Sequence, residues 1–146
     1  MEDATLAMSL ARCRIAIGVA AVVTPGLAAR VMGGRRASGG IAPFFARMLG
    51  GRDIALGLGT VIALDRGKPV RGWLEGSALA DTVDCVACVL ARENMSPTAA
   101  AAGAGLGGAS AILGVLLSRR LDPPPAPQTG QPEAVATGHS RELVVE

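Results

Sequence analysis

Four long apolar runs, each broken by a short polar or glycine-rich stretch, set the pattern of this chain. The first runs from about Ala4 to Thr24 and stops at Pro25-Gly26, a strong breaker pair. Leu27 to Met32 reads as a short interfacial turn before the Gly33-Gly34-Arg35-Arg36 loop. The second run starts at Pro43, a good first helical residue, and ends near Leu64. Asp65-Arg66-Gly67-Lys68-Pro69 is a tight polar turn, so the second and third runs are expected to form an antiparallel hairpin. The third spans about Val70 to Ala91, and Arg92-Glu93-Asn94 separates it from the fourth. That last run, from Asn94 to Ser118, carries no charge at all. Each is close to the roughly 20 residues that a membrane-spanning helix needs.

No stretch alternates with period two, which argues against a β or α/β fold. The expectation is an all-α, four-helix transmembrane bundle over residues 1–118, with helices at about 4–24, 43–64, 70–91 and 96–118. Residues 119–146, with Pro-Pro-Pro-Ala-Pro and a Gly, Gln, Thr and Glu mixture, read as a disordered Pro-rich tail. Composition sharpens the membrane reading. Half of the chain is apolar, yet it holds two Phe, one Trp and no Tyr. Soluble cores of this size draw much of their bulk from aromatics, whereas Ala, Gly, Val and Leu suit closely approaching helices in lipid. The charged fraction of 18% is high for four spans and keeps a soluble helical protein as the competing expectation. The acidic start Met1-Glu2-Asp3 is the wrong sign for a signal peptide, although a start at Met8 fits better; an uncleaved first membrane helix is expected.

The charges within the apolar runs need explaining. Arg12 and Arg14 lie in the first, Arg47, Arg52 and Asp53 in the second, and Glu75, Asp81 and Asp84 in the third. Placed singly at mid-helix in lipid, each would cost roughly 2.5–3.5 kcal/mol. Pairing is therefore required, and the hairpin permits it. Arg52 lies thirteen residues before Asp65, about 20 Å from the turn. Asp81 and Asp84 lie twelve and fifteen residues after Pro69, at roughly 18 and 22 Å, level with Arg52. All eight side chains are candidates for one buried, charge-balanced network, with Gly50 and Gly51 letting the partner helix approach. A structural network is the leading expectation, and a proton or solute path the alternative.

The pattern Arg47-x-x-Gly50-x-Arg52-Asp53, then Gly57 and Gly59, then Trp73 and Asp81-x-x-Asp84, resembles an uncharacterised family of small bacterial four-helix membrane proteins. It is broadly similar to DoxX-like four-helix proteins as well. The resemblance covers roughly Ala4 to Leu117; it implies an integral-membrane bundle and supplies neither an activity nor catalytic residues.

Other motifs carry less. Asp81, Asp84, Cys85 and Cys88 fall on one helical stripe and offer zinc-type ligands, but four ligands on one rigid helix cannot close a tetrahedron. Cys85-x-x-Cys88 beside two carboxylates is a poor setting for a reactive thiol. Buried cysteines acting as small apolar residues are expected, with no cofactor. Gly103-x-Gly105-x-x-Gly108 follows no strand, which removes the nucleotide-binding reading. Gly103, Gly107 and Gly108 instead give small-residue spacing for packing inside the bundle, or for a homodimer through the fourth helix. A net charge of +2 provides no footprint for nucleic acid. Trp73 is expected to anchor at the interface. Five cationic residues flank the turn and the C-terminal end against four on the other side, so the expectation is a cell-membrane protein with both termini in the cytoplasm.

Overall fold

A computed structural model describes residues 2–33 and 40–122. The Arg35-Arg36 loop, most of the expected tail and the single His139 lie outside these residues. The described residues are all helical or turn, with no strand. They form five α-helices rather than four: α1 (Glu2–Val23), α2 (Pro25–Gly33), α3 (Ala42–Asp65), α4 (Arg71–Leu90) and α5 (Pro97–Leu121), with a 3-10 turn at Arg92–Asn94 before α5.

The extra helix, α2, occupies the segment expected to be a turn. Pro25 stops α1 because it has no N–H to continue the ladder, but it is well suited to the first turn of the next helix. Thr24 joins the two. Its backbone N–H and its hydroxyl both donate to the Ala20 carbonyl (2.8 and 2.7 Å), while its own carbonyl accepts from Leu27 and Ala28 (3.1 and 3.0 Å). At α5 the helix also continues three residues past Ser118, so Arg119 and Arg120 belong to its last turn. Their charge suits the negative end of the helix dipole.

The turn after α3 is a Schellman motif. Gly67 takes the left-handed conformation (φ +58°), Lys68 N–H donates to Ala63 at 2.8 Å and Gly67 N–H to Leu64 at 3.1 Å. Ser96 caps α5 by accepting from Ala99 N–H at 3.2 Å. The start of α4 is capped from far along the chain. Asp122, just past α5, accepts from Arg71 N–H at 2.6 Å and from Val70 N–H. Asp122→Ala should therefore cost about 1 kcal/mol, the ordinary worth of an N-cap. A lowered thermal midpoint in detergent would register it, with Asp122→Asn retaining part of the stability.

The helices associate as two antiparallel pairs, α1 with α3 and α4 with α5, with far fewer contacts between the pairs than within them. The hairpin partners α3 and α4 pack antiparallel as expected, but they are not each other's closest neighbours. Small residues decide this. A Cβ at Gly18 would lie 2.6 Å from the Gly50 carbonyl oxygen, and one at Gly57 would lie 2.8 Å from that of Ala11. Ala11 and Gly18, like Gly50 and Gly57, are seven residues apart, so one seam of small side chains runs down the pair. In the second pair, α4 backbone and side chains lie against Gly103, Gly107 and Gly114 of α5. The pairs meet at one end through Ala7, Ala63, Val70, Leu74 and Leu117.

The distribution of side chains is inverted relative to a soluble bundle. Buried positions are mostly Ala, Gly, Ser, Thr and Asp, whereas Ile17, Phe44, Phe45, Leu79, Leu90 and Leu106 are among many large apolar side chains more than half exposed. Two helices, α1 and α5, are long and apolar enough to cross a membrane. Only 17% of the most apolar stretch of either is buried, which is not how the core helix of a soluble protein looks.

Candidate functional site: a charged core between the helix pairs

Charged side chains meet where the two pairs face each other. Arg14 of α1 donates through Nη1 to Asp53 Oδ1 of α3 at 2.9 Å and through Nη2 to Asp81 Oδ2 of α4. Arg52 of α3 forms a two-pronged bridge to Asp84 of α4, Nη1 to Oδ1 at 3.0 Å and Nη2 to Oδ2 at 2.6 Å. This parallel geometry is the strong form of an arginine–carboxylate pair. Arg52 Nη2 also donates to Asp53 Oδ1 at 3.2 Å, which joins the two bridges into one network. Ser110 of α5 completes it, its hydroxyl donating to Asp81 Oδ2 at 2.6 Å. All four long helices contribute, and α2 does not.

Five of the eight charged candidates are thus brought together, and three are not. Arg12 and Arg47 are exposed and make no ion pair among the described residues. Glu75 is exposed and pairs with Arg71 one turn away at 2.7 Å. Helical phase explains each. Arg12 lies two residues from Arg14, about 200° around the helix. Arg47 lies about 140° from Arg52, and Glu75 about 120° from Asp81, at 100° per residue. Depth along the helix was right for the central residues, but only phase decides which of them face inward. The expected charge balance changes as a result: two arginines meet three aspartates.

The network lines a cavity of about 390 Å³ between the pairs. Arg14, Asp53, Asp81, Asp84, Ser77 and Ser110 supply its polar wall, and Leu10, Ile17, Leu74 and Leu106 part of its apolar wall. Neither Ser77 nor Ser110 stands out from the sequence by motif. Ser110 carried one usable signal, being the sole polar side chain between Ala99 and Leu117.

The expected packing glycines separate into two kinds. Gly50, Gly103 and Gly107 are in close contact with the opposing helix, and Gly108 reaches Cys85 Sγ at an ordinary 3.7 Å from its Cβ position. Gly51 faces open space. The α5 glycines expected for packing, Gly103, Gly107 and Gly108, face α4 within the bundle. Trp73, expected at the interface, is 43% exposed and lays its ring over Gly59, where a Cβ would collide with it.

The cysteines are all free thiols: Cys13 exposed, Cys85 half-buried and Cys88 buried. Asp81 and Asp84 are engaged by arginines, and no group of three potential metal ligands forms among the described residues. No family model, curated protein or solved structure matches this chain.

Proposed function

We propose that this chain is a multi-pass integral membrane protein, without enzymatic activity, in which α1, α3, α4 and α5 span the bilayer and the Arg–Asp network joins the two helix pairs. The inverted side-chain distribution carries this reading. A surface of Phe, Leu, Ile and Val around a core of Ala, Gly and paired charges is costly in water and favourable in lipid. Helices α3 and α4 hold 24 and 20 residues. At about 1.5 Å per residue they reach roughly 36 and 30 Å, enough for a hydrocarbon core of about 30 Å. Their charges are the reason neither qualifies as a span on composition, and ion pairs engage Arg52, Asp53, Asp81 and Asp84 between the helices, while Arg47 stays exposed and unpaired among the described residues. Helix α2, at nine residues, is too short to span and lies along the α3 side. With four spans the two ends of the bundle sequence fall on one side, and the slight excess of basic residues around the α3–α4 turn and the C-terminal end supports a cytoplasmic location for that side. The family-level likeness to small bacterial membrane proteins, DoxX-like ones included, rests on the motif residues alone and agrees with this picture.

The test is extraction of expressed membranes with alkaline carbonate. The chain should remain in the membrane pellet and leave it only with detergent. Release by carbonate would mean that the apolar surface meets something other than lipid, and the spanning assignment would fall.

A further inference from the structure

Charge counting in the network leaves a remainder. Arg14 and Arg52 supply two positive charges, and Asp53, Asp81 and Asp84 three negative ones, so one carboxylate has no cationic counterpart. In a wall that is largely apolar, an uncompensated charge is unfavourable. The hydrogen bonds show where the deficit sits. Asp84 spends both oxygens on Arg52. Asp53 accepts only through Oδ1 and Asp81 only through Oδ2, so each keeps one oxygen that accepts nothing from the described residues. Neither oxygen is sealed from access, since Arg52 Nε is the only fully buried polar side-chain atom without a partner among the described residues.

A second observation comes from a neutral group. Ser77 is 8% exposed and lies on the same cavity wall, yet its hydroxyl makes no hydrogen bond among the described residues. Serines on helices readily bond back to the carbonyl four residues earlier, as Thr60 and Thr82 do here (2.9 and 2.7 Å). Ser77 does not, and it too is not sealed. The residues that line the cavity therefore include two aspartates with one unpaired oxygen each and a serine with an unpaired hydroxyl, one unit of net negative charge, and an apolar wall. Its volume of about 390 Å³ falls in the range of small-molecule sites, which are mostly apolar with a few convergent polar groups.

We propose that this cavity binds a small organic monocation, a protonated aliphatic amine, whose ammonium group neutralises the network and whose hydrocarbon part lies against Leu10, Ile17, Leu74 and Leu106. A primary ammonium has three N–H donors and no acceptor, which suits three unpaired acceptors. A bare alkali cation would gain the charge but leave the apolar wall unused, and a neutral molecule would do the reverse. The site lies between the helix pairs, where packing is loosest, so occupancy would strengthen the joint that holds them together. The inference rests on the bundle described above but not on its membrane location.

The probe is n-butylammonium chloride, fully protonated at neutral pH, added to the full chain purified in detergent, with thermal unfolding as the readout. The midpoint should rise and saturate with butylammonium, as expected for a ligand that binds only the folded state. n-Butanol and sodium chloride at matched concentrations should not reproduce this. Asp53→Asn makes the network neutral while keeping the Arg14–Asp81 and Arg52–Asp84 bridges, and should abolish the shift. Ser77→Ala leaves all charges in place, and should require about tenfold more butylammonium or higher, the worth of one hydrogen bond to a charged group. An absent shift, an equal one with butanol or with sodium chloride, or an undiminished one in Ser77→Ala would overturn the proposal. Should Asp53→Asn not fold, Ser77→Ala and the two control solutes decide the matter. Carbonate extraction separates this from the spanning assignment. A carbonate-retained chain that ignores butylammonium would lose the site alone, and a released chain that binds it would lose the membrane alone.

Discussion

Arg14→Leu should be strongly destabilising, more so than Arg52→Leu. Among the described residues Arg14 is the one side chain that binds carboxylates on two other helices, Asp53 on α3 and Asp81 on α4, and it is only 13% exposed. Its loss leaves Asp81 with the Ser110 hydroxyl alone and Asp53 with a single arginine contact at 3.2 Å. Removing one partner of a buried pair typically costs 3–5 kcal/mol, because the other charge stays buried without compensation. The residual exposure of these carboxylates, 11% for Asp81 and 17% for Asp53, places the cost near the lower end. About 3 kcal/mol is still a factor of more than a hundred in the folded-to-unfolded ratio. Arg52→Leu should cost less, since Arg52 and Asp84 are 29% and 36% exposed, against 13% and 11% for Arg14 and Asp81. Arg14→Leu/Asp81→Leu should recover much of the loss, because the two charges leave together and apolar replacements fill their space. The comparison is made on folded yield in detergent and on thermal midpoint. A single Arg14→Leu that melts like the parent, or an Arg52→Leu that is the worse of the two, would remove Arg14 from the centre of the network.

That ordering was not legible in the sequence, although the network itself was. Counting residues from the Asp65–Pro69 turn placed Arg52 level with Asp81 and Asp84, and the pairing with Asp84 follows from that register. Counting along one axis carries no information about direction around it, and so Arg12, Arg47 and Glu75 entered the expected network wrongly. A helical projection at 100° per residue separates Arg12 from Arg14 at once. What no projection supplies is which helices become nearest neighbours. The short turn joins α3 and α4 at one end, whereas interlocking Gly18 and Gly50 draw the body of α3 against α1. A connection fixes only that two ends lie close; the closeness of the helix bodies depends on where small residues face each other. Ser77 and Ser110 escaped notice for a related reason. A lone hydroxyl on an apolar helix gains meaning only when the opposite wall is known.

Gly50→Leu should be comparably damaging by a different physical route, with no charge involved. The Cβ would stand 2.6 Å from the Gly18 carbonyl oxygen, 3.0 Å from Ala21 Cβ and 3.1 Å from Val22 Cγ2. The nearest of these is backbone, which cannot swing aside, so the α1–α3 pair must open. Overpacking of this kind costs 1–3 kcal/mol or more. Here the damage spreads, because the same pair carries the Arg14–Asp53 bridge at 2.9 Å, close along α1 to the contact being forced apart. Its neighbour supplies an internal control. A Cβ added at Gly51 would have nothing within 4 Å of it, so Gly51→Ala meets no obstacle and gains helix propensity of about 0.5–1 kcal/mol. Two adjacent glycines that look equivalent in the sequence should therefore respond with opposite sign, one lowering the thermal midpoint and the other leaving it level or raising it. Equal tolerance at both positions would mean that α1 and α3 are held at a distance by something other than the glycine seam. A loss at Gly51 would instead place a helix on the face that is open in the isolated chain, as a second copy packed there would do.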